Sequence, residues 1–232
     1  MPRVSWLWGI MVVAAAMSAS EARAATAGAN CDGALMVAEI AAAVERGAKP
    51  PADESFQQLM GSARFIAAAE AGDAVAEYML SGRLGDQTRA LEWTRRAAEH
   101  GHERAQADLG LRYMLGQAVP QSYFEAFKWY SRAAQQGLVG IFAALGAMYE
   151  RGQGVPQDFV EAYKWYSLGA ARMQARAAGI AAEDRDKLAA KMTSAQVAEA
   201  QRRAAAWQPV PEPSPCLEVF RREVRERLKK AD

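Results

Sequence analysis

The sequence predicts an all-α protein: a right-handed α-solenoid of antiparallel helix pairs with flanking helices. Three observations lead there. Residues 109–134 read LGLRYMLGQAVPQSYFEAFKWYSRAA and residues 145–170 read LGAMYERGQGVPQDFVEAYKWYSLGA, an offset of 36 with no gap. Self-similarity at a period of roughly 20–50 residues marks stacked helical or strand units, none of which buries its apolar face alone. Alanine, the best helix former, recurs in runs at 14–16, 41–43, 67–69 and 204–206. Finally, 51% of the 232 residues are apolar, enough to bury the core of one medium domain or a short repeat array.

The N-terminus is set apart from the fold. Arg3 precedes an apolar stretch from Val4 to Met17, followed by SASEARA, in which Ala22-Arg23-Ala24 fits an A-x-A cleavage site. This is the layout of a secretory signal peptide over residues 1–24. The apolar run falls short of the roughly 17–25 residues that span a bilayer, which counts against an uncleaved anchor. Asn30 before Cys31 does not fit a lipobox. The chain carries 28 Lys and Arg against 27 Asp and Glu, and removing Arg3, Glu21 and Arg23 with the leader balances the charge. Nucleic-acid binding is not expected, because phosphate neutralisation requires a basic excess.

Two cysteines are present, Cys31 and Cys216. In an oxidising compartment an even count invites pairing, and two thiols without nearby histidines make a poor metal site. A reactive thiol is the alternative. A Cys31–Cys216 disulfide would close a loop of about 185 residues, worth about 5 kcal/mol in chain-entropy terms. It also demands Cα atoms within about 7 Å, so one terminal segment must fold back.

N-terminal flanking helices are expected over 25–71. Residues 33–46 place Met36, Ile40 and Val44 on one helical face, with Gly47 closing the helix and Lys49-Pro50-Pro51 as a loop. Residues 55–71 read as a degenerate helix, since AAEAG at 68–72 echoes AAEHG at 97–101. Repeats follow over 72–172. The first, 72–101, is truncated: Trp93, Ala97-Ala98 and Gly101 precede Trp129, Ala133-Ala134 and Gly137 by one period. Leu80 stands for Leu109, the intervening loop is shorter, and Asp86 is placed to cap the second helix.

In the copies at 105–140 and 141–172 each shared position has a physical task. Ala105, Leu109 and Tyr113 fall on one face of a first helix. Gly110 and Gly146 bare a helix flank, which a close helix contact would compensate. Gly116 and Gly152 stand where left-handed caps end those helices, and Val-Pro leads into the next. Ser122-x-x-Glu125 reads as a capping box, and Asp158 with Glu161 suits a helix N-terminus. Ala126, Trp129, Tyr130 and Ala133 form the second-helix stripe, repeated as Ala162, Trp165, Tyr166 and Gly169. Gly137 closes the first of these helices; its counterpart is Met173, so the array changes there.

The phrases LG-x-x-Y, G-x-[AG]-V-P-Q, EA-[FY]-KWY and AA resemble the SEL-one-like repeat family, a relative of tetratricopeptide repeats. The resemblance covers about 100 residues, with Thr94 where the family has tyrosine. It implies first helices lining a concave face and says little about chemistry. The absence of catalytic and ligand motifs gives the expectation of no cofactor and no catalytic residue, and the mixed apolar and charged positions on that face suit a protein or peptide partner. On that face lie Arg104, Ala107, Leu111, Met114 and Leu115 in one copy, and Gly140, Ala143, Ala147, Glu150 and Arg151 in the next. Arg104, Leu111, Met114, Leu115, Glu150 and Arg151 are therefore the expected partner-binding residues. The alternative is that this stripe touches only the flanking helices. The resemblance implies a role in signalling, envelope assembly or host interaction, without choosing among them. A cysteine-rich branch is linked to β-lactam hydrolysis, but it carries a cysteine pair per repeat, and these repeats contain none.

Catalytic signatures are missing. His100 and His102 straddle Gly101, which fits a helix end followed by a helix start. His102-Glu103 opens like a zinc-protease motif but lacks a histidine at 106. No G-x-S-x-G or S-x-x-K occurs, and Gly152-x-Gly154 lacks a third glycine. Glu183-Asp184-Arg185-Asp186 suits a helix start.

C-terminal flanking helices are expected over 173–207, with Thr193-x-x-Gln196 as a capping box. Residues 208–232 hold a polyproline-like spacer, PVPEPSP, and a final amphipathic helix over 217–230 with Leu217, Phe220, Val224 and Leu228 on one face. That helix either packs back on the array or meets a partner or a membrane surface. The resulting expectation is an exported, non-catalytic interaction scaffold or regulator, periplasmic in a Gram-negative source. A hydrolase of the cysteine-rich kind and an envelope-surface structural protein are the alternatives.

Overall fold

The computed structural model describes residues 31–45, 63–173, 175–212 and 214–229. Among these every regular element is a helix. The leader expected over 1–24 and the loop Lys49-Pro50-Pro51 lie outside the described residues. The chain divides into two compact units, one of residues 1–102 with 213–232, the other of residues 103–212.

The first unit contains α1 (Asp32–Glu45), α2 (Ala63–Glu70), α3 (Ala74–Ser81), α4 (Gln87–Glu99) and the chain's last helix, α11 (Pro215–Lys229). Asp73 organises its middle. One carboxylate oxygen accepts from the Val75 and Ala76 amides, capping α3, while the other accepts from the Ala34 amide at 2.7 Å. A single buried side chain thus satisfies orphan donors at the starts of α1 and α3. Asp86 caps α4 through the Thr88 and Arg89 amides, as its spacing predicts. Cys31 and Cys216 are disulfide-bonded with their Cα atoms 4.9 Å apart, and α11 packs along α1. The fold-back that the pairing requires is therefore present. Ala34, Val37, Phe65, Ala68, Val75 and Val219 are buried together, with Trp93 and Phe220 half-buried against them. Val219 lies one step round from the face that the α11 periodicity picks out; the side chains of Leu217, Val224 and Leu228 lie outside what is described.

The second unit runs through α5 (Glu103–Leu115), α6 (Tyr123–Gln135), a short 3-10 turn at Val139–Ile141, α7 (Phe142–Arg151), α8 (Phe159–Arg172), α9 (Ala175–Ala189) and α10 (Ser194–Ala206). α5 pairs with α6, α7 with α8, and α9 and α10 both pack on α8. The bare flank at Gly110 receives the Tyr130 ring: a Cβ there would stand 2.7 Å from Cδ1. Gly146 receives Tyr166 in the same way. Both second-helix stripes are buried, with Trp129 and Trp165 each 6% exposed.

The loop between paired helices is built identically twice. Gly116 and Gly152 take φ of +70° and +66°, the left-handed caps that end α5 and α7. The Ser122 amide then donates to the Tyr113 carbonyl at 2.9 Å, and the Asp158 amide to the Tyr149 carbonyl at 3.0 Å. For that reason the expected box at Ser122 is only half formed. Its hydroxyl accepts from the Glu125 amide, but its own amide is already engaged, and Glu125 turns to Lys128 instead. The box at Thr193 and Gln196 is complete. Beyond α10 the proline-rich segment is not a free spacer: residues 207–212 lie against the second and third repeats.

Candidate partner-binding surface

α5 carries the expected surface of the second repeat. Its buried side is set by Ala105 and Leu109, both fully buried. The row on the other side leaves Arg104 exposed, Leu111 41% exposed and Leu115 54% exposed. Leu111 and Leu115 are four residues apart, so they stack as neighbours on one helical face. Met114 is half-buried and packs into the core beside Tyr113.

The equivalent positions of the third repeat behave differently. Arg151 is exposed. Glu150 is held from within the chain: its carboxylate accepts from the Tyr166 hydroxyl and from Lys191 Nζ, each at 3.0 Å. Burial, and then this bond, hold the Tyr166 hydroxyl well above the usual phenol range. Glu150 is thus a tether joining α7 to α8 and to Lys191, just past the end of α9. Ala147, the counterpart of Leu111, is half-buried against the cluster that includes Tyr163, Leu188 and Ala200.

The periodicity did not single out Tyr123 and Phe124. They open α6 and are 39% and 66% exposed. Gln121 ties them to the end of α5, its amide donating to the Met114 carbonyl at 2.8 Å and lying 3.4 Å from the Tyr123 hydroxyl. Leu111, Leu115, Tyr123 and Phe124 therefore expose apolar surface toward the same end of one helix pair. In the third repeat the corresponding Phe159 and Val160 are half-buried against Met192, Val197 and their neighbours, because α9 and α10 cover that end. The only available sequence signal is the aromatic pair in YFEAF ahead of the buried stripe.

The histidines do not act together. His100 Nδ1 meets the buried carboxylate of Glu77 at 2.7 Å, while the His102 ring stacks on Tyr78 with centroids 4.3 Å apart. Among the described residues no group of three or more His, Cys, Asp or Glu is arranged to hold a metal ion.

Sel1 repeats are matched at residues 67–102, 103–138 and 143–172. A Sel1 repeat protein from Oxalobacter formigenes, known from its crystal structure, is 34% identical; the match covers 98% of that protein and 56% of this chain, with a TM-score of 0.50. The chain belongs to the Sel1 repeat family. A second Sel1-like match covers 88% of this chain at 27% identity and a TM-score of 0.58: a protective antigen present in uropathogenic Escherichia coli strains, which displays an SLR fold. This chain spans 41% of that antigen's length. No curated protein matches. Sel1 repeats generally serve protein–protein interaction and are typically non-catalytic scaffolds. The three matched Sel1 repeats include both helix pairs that carry the surface described above.

Proposed function

We propose that this protein is an exported scaffold or regulator of the bacterial cell envelope, periplasmic in a Gram-negative source, which holds a segment of another protein on the first helices of its repeats. One observation carries the reading. Leu111 and Leu115 expose a continuous apolar strip on α5, at an end of the second repeat that following helices cover in the third. Arg104 on α5 and Arg151 on α7 supply exposed charge, Met114 packs into the core beside Tyr113, and Glu150 ties α7 to Tyr166 and Lys191. An apolar centre with a charged rim suits a protein segment. Export is supported by the leader pattern and the disulfide, which persists in oxidising compartments. No helix among the described residues is long and apolar enough to cross a membrane.

The test is in-envelope crosslinking from Leu111→Asp/Leu115→Asp against the wild-type chain, with captured proteins identified by mass spectrometry. Both side chains are exposed, so the double variant should keep its helical signal and lose a captured protein. A folded variant that captures the same set would remove this surface as the binding face.

A further inference from the structure

At the other end of the helix pairs from Leu115 and Phe124, the chain's own residues 207–212 lie across the second and third repeats. We propose that Trp207–Glu212 is an internal ligand seated on a peptide track across the second and third repeats. That track takes from a partner an extended, proline-containing segment bearing an aromatic side chain and, five residues later, a carboxylate.

Corresponding positions in the repeats show why the track selects an acid. In the first repeat, Arg96 Nε lies 3.0 Å and His100 Nδ1 2.7 Å from the two oxygens of Glu77, which is fully buried. The equivalent positions in the second repeat are Arg132, Gln136 and Gln106. Glutamine replaces the glutamate, so Arg132 has no carboxylate from its own repeat. Glu212 supplies one: Arg132 Nε and Nη2 donate to its two oxygens at 2.8 and 2.6 Å, and Gln106 Nε2 donates at 3.0 Å. This two-pronged fork is the geometry arginine uses to read carboxylates. Gln136 completes the socket, donating to Gln106 and accepting from the Glu212 amide. The Arg132 guanidinium is also stacked on Trp129, 4.8 Å from the ring centre, which fixes its direction.

In the third repeat the same positions are Phe142, Leu168 and Arg172. The socket there is aromatic, and Trp207 fills it. Its ring meets Phe142 edge-on at 5.4 Å, Trp165 at 5.8 Å and the Arg172 guanidinium at 4.7 Å. Between these anchors the backbone is read lightly. Val210 donates its amide to the Gln135 carbonyl while its side chain stays 71% exposed, and Pro209 rests on Gly137. Prolines at 209 and 211 keep the segment extended with no internal hydrogen bonds, so lifting it off unravels no secondary structure. Docking aromatic and acidic anchors around a polyproline-like backbone is a way of binding peptides in trans.

The experiment uses full-length protein and a labelled peptide, AWQPVPEPS, copied from residues 206–214, with binding read by fluorescence anisotropy. Occupancy in cis should leave the wild type with little affinity, whereas Trp207→Ala/Glu212→Gln should bind at least about tenfold more tightly because the competent fraction rises. A peptide with Gln for Glu should lose that gain, as should adding Arg132→Ala to the opened variant. Glu212→Gln alone keeps the Trp207 packing and decides the matter if the double variant fails to fold. A folded opened variant that binds no better than wild type, or binds the Gln peptide equally well, overturns the proposal.

Discussion

Gly154 presses against the backbone of Tyr123: a Cβ on it would overlap the Tyr123 carbonyl and stand 2.8 Å from the Phe124 amide nitrogen. The glycine sits at φ +75°, in the loop of the third repeat, and the residues it touches begin the second helix of the repeat before. Repeat stacking therefore depends on a missing side chain. Gly154→Ala should cost at least about 3 kcal/mol, since the clash is with backbone that cannot rotate away and the left-handed conformation adds strain. Urea denaturation followed by helical circular dichroism would measure it. A loss below about 1 kcal/mol would show that the loop can move aside.

The matching position one period earlier is Ala118, which holds φ +58° and is the only non-glycine residue with positive φ among those described. Alanine in that region costs roughly 1–2 kcal/mol. Glycine would relieve the strain but gain freedom in the unfolded chain, which offsets part of it. Ala118→Gly should thus stabilise the protein by about 0.5–1 kcal/mol. The opposite responses of two aligned positions to alanine and glycine make this a paired test; destabilisation by Ala118→Gly would contradict the assigned backbone strain.

How far the sequence can be read follows from how local each signal is. Caps at Asp86, Asp158 and Thr193, and left-handed glycines at 116 and 152, depend on a few adjacent residues, and each stands where its spacing puts it. A close helix contact at Gly110 and Gly146 was legible because the pattern occurs twice, whereas the tyrosine rings that make it, Tyr130 and Tyr166, were not. The disulfide was legible from the even cysteine count together with the leader pattern expected over residues 1–24. The task of Gln121 and Gln157 was not: each caps the end of a first helix, donating to the Met114 and Glu150 carbonyls, but a loop glutamine carries no period or charge to betray it. Nor was the exposure of Phe124, which turns on whether later helices cover that end of a repeat. Glu212 reads as part of a spacer until Arg132, 80 residues away, is seen to grip it.

Joining α1 to α11 covalently gives the disulfide a local consequence. Replacing both cysteines with serine should cost about 2–5 kcal/mol, because the long loop regains its freedom in the unfolded state. Hydrogen exchange by mass spectrometry is the discriminating measurement. Amides of α1 and α11 should exchange faster in Cys31→Ser/Cys216→Ser, while those of α5 to α8 hold their protection. Unchanged protection in α1 and α11 would mean that apolar packing around Val37 and Val219 suffices without the bond.

Glu77 supplies a pH test. Burial raises its pKa, opposed in part by the His100 bond and by the charges of His100 and Arg96, and reinforced by the nearby Asp73 carboxylate. Asp73 is itself raised by burial. A carboxyl with a higher pKa in the folded state binds protons more tightly there, so the native state holds more protons than the unfolded one over that interval. Its contribution is fully present below the unfolded value of 4.5 and declines as pH rises through the folded value. Stability measured in urea at a series of pH values from 4 upward should therefore include a component that falls with rising pH. Glu77→Gln should flatten that component, leaving only the part due to Asp73. A Glu77→Gln profile parallel to wild type, or a wild-type component that rises over the same interval, would show that the Arg96 and His100 charges outweigh desolvation at this site.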